Sequence, residues 1–464
     1  MNTQVLLDAS PPLSLKFPNV YLRRRGATRI LYAPLKGLVL EVTEEAASLI
    51  EALKQGPVEG RQGNVEEWTA LLSSLDDVGI AKSDSDHSAL SHREKFRPTH
   101  VTLSLTTGCN LRCVYCYARA GEKSRTMPFS LARAAIEFVA TNAIRQNAPS
   151  FGITFHGEGE PTYEWQLFRQ VVEYAETVAH QLALGVTFAM TTNALWGRAQ
   201  RAFIVDRFSD LSISLDGLPE VQAAQRPTIS GKDAFKTILA NLIEVGEKGV
   251  PCGIRSTIMP NSVDRMVPFL EFIAANTKIT NVRLEPIFDS GRGADLPIDN
   301  SSFDLRFAER FTEAQARGRE LGLSVSYSGC SDINHSGNFC GATGSNLNFT
   351  VMSHGVVSSC YEINEPTHEL GEFFIYGKFD EQTQTFEFLP DRMDRLMNFS
   401  TKTNSPCASC FAQWNCRGDC LSRYSKKKLL GGGASPRCSL NQALADARLV
   451  NSLESQSFGS GDAS

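Results

Sequence analysis

The chain has no apolar run near the roughly 18 residues of a membrane-spanning helix. Its N-terminal MNTQVLLDASPPLSLK lacks the basic start and long apolar stretch of a secretory signal. A cytoplasmic protein with no membrane partner is expected. Positive charge is not in excess either, since 46 Lys and Arg stand against 51 Asp and Glu, a formal charge of −5. That balance supplies no basic field of the kind that draws a protein to nucleic acid, so no nucleic-acid partner is expected. A secreted disulfide framework is also out of place, because such frameworks belong to much shorter chains than one of 464 residues.

Single cores stop growing beyond about 250 residues, so two or three domains are expected. A hydrophobic share of 42% with 21% charged residues is that of a globular protein. The twelve cysteines are informative through their spacing, five of them lying between Cys407 and Cys438. In a reducing compartment, thiolates crowded in this way need a cation to offset their repulsion.

Residues 1–81 read as a small α+β domain. Strand-like runs around Tyr21–Arg24, Ile30–Tyr32 and Gly37–Val42 precede two helices. Thr43 caps the first helix, Glu44 and Glu45 sit at its positive end, and Gly56-Pro57 stops it. Ala46, Leu49, Ile50 and Leu53 give it one apolar stripe, as Trp68, Leu71, Leu72 and Leu75 do for the second. Residues 82–98, KSDSDHSALSHREKFRP, read as a linker.

From His100 strands and helices alternate. Strand-like runs at Val101–Leu105, Gly152–Phe155, Val186–Thr191, Leu211–Leu215, Gly253–Thr257 and Val282–Glu285 are separated by helical stretches such as Leu131–Arg145 and Phe235–Lys248. Six βα units with short connections predict an α/β domain over 99–328. It would be a partial (β/α)6 barrel of the TIM type, with its chemistry at the C-terminal strand ends. Over 329–450 the pattern gives way to short strands, turns rich in Gly, Asn and Ser, and clustered Cys. With so little apolar periodicity, metal is expected to hold that region together. The tail 451–464 is small and polar and is read as disordered.

The loop after the first barrel strand reads Thr106-Thr107-Gly108-Cys109-Asn110-Leu111-Arg112-Cys113-Val114-Tyr115-Cys116. Three thiolates at x3 and x2 spacing can hold three irons of a [4Fe–4S] cube and leave the fourth open to a ligand. The rival reading is a zinc knuckle in which Cys113 and Cys116 are half of a four-ligand site. Later come Cys340, Gly355 and Cys360, then Cys407, Cys410, Cys416 and Cys420, and last Cys438. Two four-thiolate clusters need eight ligands, and Cys330 is the candidate for the eighth. A zinc ribbon on the Cys407/Cys410 and Cys416/Cys420 pairs is the alternative. Those pairs stand five residues apart, where ribbons have about 15–20. Cys252, beside Pro251 at the start of an apolar strand, reads as a buried small hydrophobe.

The first cysteine loop, with Tyr115 just before its third Cys, resembles the signature of the radical S-adenosylmethionine (SAM) superfamily. The C-terminal cysteines resemble the signature of its SPASM branch. The resemblance implies three [4Fe–4S] clusters. Cys109, Cys113 and Cys116 would hold the SAM-binding one, whose open iron chelates the amino and carboxylate groups of SAM, with Tyr115 near the adenine. Cys340, Cys360 and Cys420 with Cys330 would hold the first auxiliary cluster, and Cys407, Cys410, Cys416 and Cys438 the second.

His156-Gly157-Glu158-Gly159-Glu160-Pro161 resembles the family's GGEP motif, which makes Gly159 and Glu160 cofactor-side residues, Glu160 accepting hydrogen bonds from the SAM ammonium. Glu158 stands where the first Gly is usual, and a Cβ there limits positive φ. Thr191-Thr192-Asn193 and Ser212-Ile213-Ser214-Leu215-Asp216-Gly217 are similar to the SPASM-type strand ends. They add Asn193, Asp216 and Ser214, the last as a ribose or carboxylate contact. Arg255 on the fifth strand can form a charge-assisted bond to the SAM carboxylate. Ordinary alternatives stay open: Asn193 as a turn cap, Asp216-Gly217 as a turn dipeptide, and Glu285 between a substrate-side role and a structural salt bridge.

The resemblance runs from His100 to near Leu449 and implies a 5′-deoxyadenosyl radical that removes hydrogen from an unactivated carbon. Auxiliary clusters suit net oxidation or bond formation. The front domain resembles the winged-helix-like, leader-binding element of maturases of ribosomally made peptides, where a leader adds as a strand. The expected function is therefore a peptide maturase that installs a carbon–carbon or thioether cross-link. Its expected partners are the leader-bearing precursor and a flavodoxin- or ferredoxin-type electron donor. No catalytic acid or base is singled out. One alternative resembles the sulfatase-maturating enzymes, which oxidise Cys or Ser to formylglycine. Another is an iron–sulfur electron-transfer protein without radical activity, which gains if Glu158 blocks SAM.

Overall fold

The computed structural model describes residues 19–54, 96–330, 338–399 and 405–459. The chain forms two compact units; of the described residues, 19–54 and 445–459 belong to the first and the rest to the second.

In the first unit β1 (Tyr21–Arg25), β2 (Thr28–Ala33) and β3 (Leu38–Val42) form an antiparallel meander. Gly26, at φ 61°, lets the first hairpin close over two residues. α1 (Glu44–Lys54) follows. Thr43 caps it, its hydroxyl accepting the Ala46 amide at 3.2 Å, and Glu44 in the first turn pairs with Arg29 of β2. Ile30, Leu31, Tyr32, Val39, Ala47 and Ile50 are buried together as its core. Arg23 forks onto the Asp446 carboxylate at 2.9 and 2.7 Å. The second helix expected around Trp68, and the linker up to residue 95, lie outside the described residues. The sequence predicts disorder from 451, but the helix Cys438–Gly459 continues to 459. Ser, Glu and Gln cost an already formed helix little.

In the second unit β4 (His100–Leu103), β5 (Ser150–Phe155), β6 (Gly185–Thr192), β7 (Asp210–Ser214), β8 (Cys252–Ile258), β9 (Asn281–Pro286) and β10 (Ser324–Ser326) run parallel in chain order. Between them lie α2 (Phe129–Arg145), α3 (Trp165–Gln181), α4 (Arg198–Arg207), α5 (Pro219–Gln225), α6 (Phe235–Glu247), α7 (Met266–Asn276) and α8 (Asn300–Glu320). The sequence predicts six parallel strands. β10 is a seventh, which Ser-Val-Ser is too short and polar to announce. β4 and β10 do not pair, so the array is open. Beside β4 the chain instead adds β11 (Thr350–Val351) in parallel, then β12 (Val356–Ser358), β13 (Ile375–Asp380) and β14 (Thr385–Phe388) as an antiparallel meander.

Strand residues such as Val101, Leu103, Ile153, Phe155, Leu211, Ile213, Val282 and Leu284 are buried, as are Ala132, Ile136 and Val139 of α2 and Phe168, Val171 and Val172 of α3. Each such large side chain contributes about 1.5–3 kcal/mol. Metal was the expected support for the region after 329, yet residues 349–388 have apolar support of their own. Phe349 packs on Phe386 and Phe138 with ring centroids 5.2 and 5.3 Å apart, and Phe96 and Phe388 join the cluster.

Buried polar residues gather at the C-terminal ends of the parallel strands: Ser104 and Thr106 after β4, Glu158 and Glu160 after β5, Thr192 and Asn193 at β6, Asp216 after β7, and Glu285 of β9. Buried polar groups need partners, and theirs define the site.

Candidate metal and cofactor site

The cysteine loop is held by its own backbone and by Arg112. The guanidinium donates to the carbonyls of Cys109, Leu111 and Gly121 at 2.8, 2.9 and 2.8 Å. Cys109 Sγ accepts the Leu111 amide at 3.4 Å and Cys116 Sγ the Ala120 amide at 3.5 Å. Enclosure pushes the Cys109 thiol up to about 12, and Glu160 and the Cys113 and Cys116 thiols push it the same way. Burial also raises Cys113, although the Arg226 guanidinium beside it works in the opposite sense.

Two further thiol sets form from the C-terminal cysteines. Cys340, Cys360 and Cys420 lie within electrostatic reach of one another. Cys407, Cys410, Cys416 and Cys438 form the other set. Burial, then the Glu362 carboxylate, pushes Cys420 up to about 11; burial, then Cys438 and Cys410, does the same for Cys407. Thiols so raised stay protonated at neutral pH, and the charge of a metal centre is what makes such groups thiolates. The donor sets therefore fit iron–sulfur centres in kind. Among the described residues no three His, Cys, Asp or Glu side chains close around a point for one metal ion.

Cys330 is buried, and its amide approaches the Tyr327 carbonyl at 3.4 Å. Cys252 opens β8, its thiol raised to about 12 by burial first and Asp210 second.

Gly157, at φ 144°, takes the turn of the loop after β5, and a Cβ there would stand 2.7 Å from Ser104 Cβ. Glu158 is not among the residues at positive φ, so its Cβ costs the path nothing. Its side chain is 2% exposed. Oε2 accepts the Ser104 hydroxyl at 3.0 Å and the Ser353 amide at 2.9 Å, and Oε1 accepts Asn364 Nδ2 at 3.1 Å. The residue that departs from the motif thus ties the β4 and β5 ends to the loops around β12.

Glu160 Oε1 accepts Thr162 and Thr192 hydroxyls at 2.7 and 2.8 Å, and Oε2 the Asn193 amide at 2.8 Å. Asn193 Nδ2 reaches Asn110 Oδ1 at 2.7 Å and Cys109 Sγ at 3.9 Å. The Asp216 carboxylate is filled by Tyr115 Oη, Gln225 Nε2 and the Thr257 amide, with Arg226 Nη1 at 3.6 Å. It orients Tyr115 rather than facing outward.

Ser214 of β7 and Arg255 of β8 are register partners. Among the described residues no carboxylate pairs with Arg255, which suits it to an anionic ligand. Glu285 forms no ion pair there either, and its carboxylate accepts the Ser328 amide and hydroxyl at 3.2 and 2.8 Å.

Three aromatic neighbours of Arg255, namely Tyr117, His156 and Tyr361, have no role assigned from the sequence. Tyr117 Oη donates to the Gly157 carbonyl at 2.6 Å, and the His156 ring meets Tyr361 edge to face at 4.9 Å. Enclosure, then Arg255, depresses His156 to about 3, so its imidazole is neutral. Their adjacency to Cys116, Gly157 and Cys360 was the available signal.

Residues 103–273 match the family model of the radical SAM superfamily. An uncharacterized protein of Methanocaldococcus jannaschii is 27% identical over 182 residues, 38% of this chain and 58% of that relative. This chain thus spans little more than half of it. Mycofactocin maturase MftC of Mycolicibacterium smegmatis is 25% identical over 350 residues, 74% of this chain and 82% of MftC. Among solved structures, native anSMEcpe with bound AdoMet superposes with a TM-score of 0.60 at 16% identity, covering 77% of this chain and 99% of that one. Streptococcus suis SuiB bound to precursor peptide SuiA gives 0.50 at 16% identity, covering 92% and 99%. At these identities both speak for the fold alone. No described helix is long and apolar enough to cross a membrane. The Cys109 loop at the end of β4 lies inside the matched span, so residues 103–273 carry a radical SAM domain.

Proposed function

We propose that this chain is a SPASM-type peptide maturase that installs a carbon–carbon or thioether cross-link in a ribosomally made precursor. The carrying observation is that the cysteines fall into groups within electrostatic reach of one another, 109/113/116 on one loop and 340/360/420 and 407/410/416/438 from more separated positions. Three such sets suit three [4Fe–4S] clusters, with Cys330 completing the second set and the first left one ligand short. Cys109, Cys113 and Cys116 would hold the cluster whose open iron binds SAM, and that pair would supply hydrogen-atom abstraction from carbon.

The chain's own residues bind and orient. Arg255, with Ser214 beside it, holds a carboxylate. Glu160 and Gly159 keep the loop after β5 against the cysteine loop, while Asn193 ties Cys109 to the end of β6. Asp216 fixes Tyr115. His156, neutral against Tyr361, can offer a hydrogen bond to a peptide.

Support for a peptide partner comes from the likeness to mycofactocin maturase MftC and from the SuiA peptide bound to SuiB. The three-stranded sheet of the first unit suits a leader that adds as a strand. We assign residues 1–81 to leader recognition, 82–98 to a linker, 99–328 to the SAM domain, 329–450 to the auxiliary clusters and 451–464 to a tail. A flavodoxin- or ferredoxin-type protein would deliver the electron.

Anaerobic protein given SAM, reductant and the precursor encoded beside its gene should release 5′-deoxyadenosine and return a peptide lighter by two hydrogens. SAM turnover with an unchanged peptide mass would overturn the cross-link.

A further inference from the structure

We propose that Asn441 raises the reduction potential of the cluster held by Cys407, Cys410, Cys416 and Cys438, and that Tyr327 fixes the amide that does so; the proposal rests on the ligand reading above. Asn441 lies in the first turn of the helix that begins at Cys438 and is 1% exposed. Its Nδ2 donates to Cys416 Sγ at 3.2 Å, while its Oδ1 accepts the hydroxyl of Tyr327 at 2.8 Å. Tyr327, just after β10, is likewise 1% exposed, its ring lodged between Phe307 and Phe311 at 5.6 and 5.9 Å.

The direction of the amide follows from this network. Were it reversed, Oδ1 would set its lone pairs against those of the sulfur. A buried Asn is costly unless both ends find partners, and here one partner comes from the end of a parallel strand and the other from the thiol set.

A hydrogen bond to a ligand sulfur withdraws negative charge from it. That favours the reduced cluster, which carries one electron more, and so raises the potential. Burial keeps water from screening the effect. Gln442 Nε2, 3.6 Å from Cys410 Sγ, adds a weaker donor to the same set. Each set also has an arginine-paired carboxylate nearby, Glu362 with Arg423 beside Cys360 and Cys420, and Asp419 with Arg437 beside Cys416, so the Asn441 amide on Cys416 is what sets the two apart. Two auxiliary clusters of unequal potential follow.

The test is a potentiometric titration of the anaerobically reconstituted full chain, with dithionite supplying one electron per cluster and electron paramagnetic resonance as the readout. Cys109→Ala, Cys113→Ala and Cys116→Ala are carried throughout, so that only the auxiliary clusters report. Asn441→Leu and, more strongly, Asn441→Asp are expected to lower one midpoint and leave the other. Tyr327→Phe should lower the same midpoint by less, at unchanged iron content. If an Asn441 variant loses iron, Tyr327→Phe, which leaves amide and thiols in place, decides alone. Midpoints equal to the parent's at full iron content overturn the proposal. Cys416→Ala separates this failure from failure of the ligand reading: iron retained there overturns the ligand set, and the relay falls with it.

Discussion

Gly159 lies so close to the carbonyl oxygen of Gly108 that a Cβ at position 159 would stand 2.3 Å from it. The loop after β5 is thereby laid directly on the cysteine loop, and Glu160 N donates to the same carbonyl at 3.0 Å. Gly159→Ala must push the two loops apart, and overpacking of this kind costs about 1–3 kcal/mol. A lower thermal midpoint and selective loss of iron from the first set are expected, read by calorimetry and iron analysis. Full iron with an unchanged midpoint would refute this.

Glu158→Gly would bring the loop closer to the family motif and should nevertheless harm the protein. It leaves the Ser104 hydroxyl, the Ser353 amide and Asn364 without their acceptor. Unsatisfied buried groups cost about 1–3 kcal/mol each, less what entering water restores. A fall of at least about 2 kcal/mol in unfolding free energy is expected. A variant as stable as the parent would show the network to be dispensable.

Arg255→Gln should weaken SAM binding by about ten- to a hundredfold, the worth of one hydrogen bond to a charged group. Equilibrium dialysis with labelled SAM measures it. Equal affinities would move the carboxylate contact elsewhere.

His156 titrates at about 3 in the folded chain and near about 6.5 when unfolded. Between those values the unfolded chain binds a proton that the folded chain refuses, so stability is lost as pH falls from about 6.5 toward 3. His156→Gln removes that loss. Its stability should drop by about 1 kcal/mol less than the parent's between about pH 7.5 and about pH 5.5, in denaturant titrations at each pH. Identical drops would count against a proton-excluding site.

The interleaved thiol sets predict which iron each cysteine controls. Cys420→Ala should mimic Cys360→Ala in the signal it abolishes, and Cys416→Ala should mimic Cys438→Ala. Paramagnetic resonance of the four variants would expose any other grouping.

Much of this was legible because strands advertise themselves by alternation and thiols by spacing. The Cys109 loop, the order of β4 to β9 and the Thr43 cap needed no tertiary knowledge. What stayed hidden depended on partners distant in sequence. Glu158 could be seen to break a motif, but its reason lies in Ser353 and Asn364, 195 and 206 positions away. Phe96, Phe138 and Phe349 carry no pattern in the sequence because they come together with Phe386 and Phe388 only in the fold. Asp216 was ambiguous between turn and ligand for the same reason, since Tyr115 and Thr257 approach it from two other elements.

The two-residue strand β11 has a consequence beyond its size. Without it, β4 would present a row of bare N–H and C=O groups, a ready template on which a second chain could pair. Thr102 N bonds instead to the Phe349 carbonyl at 2.9 Å and Ser104 N to that of Val351 at 3.0 Å. A fragment ending before residue 329 would keep the Cys109 loop intact and yet aggregate through β4. The cysteine-rich half thus protects its neighbour against self-association.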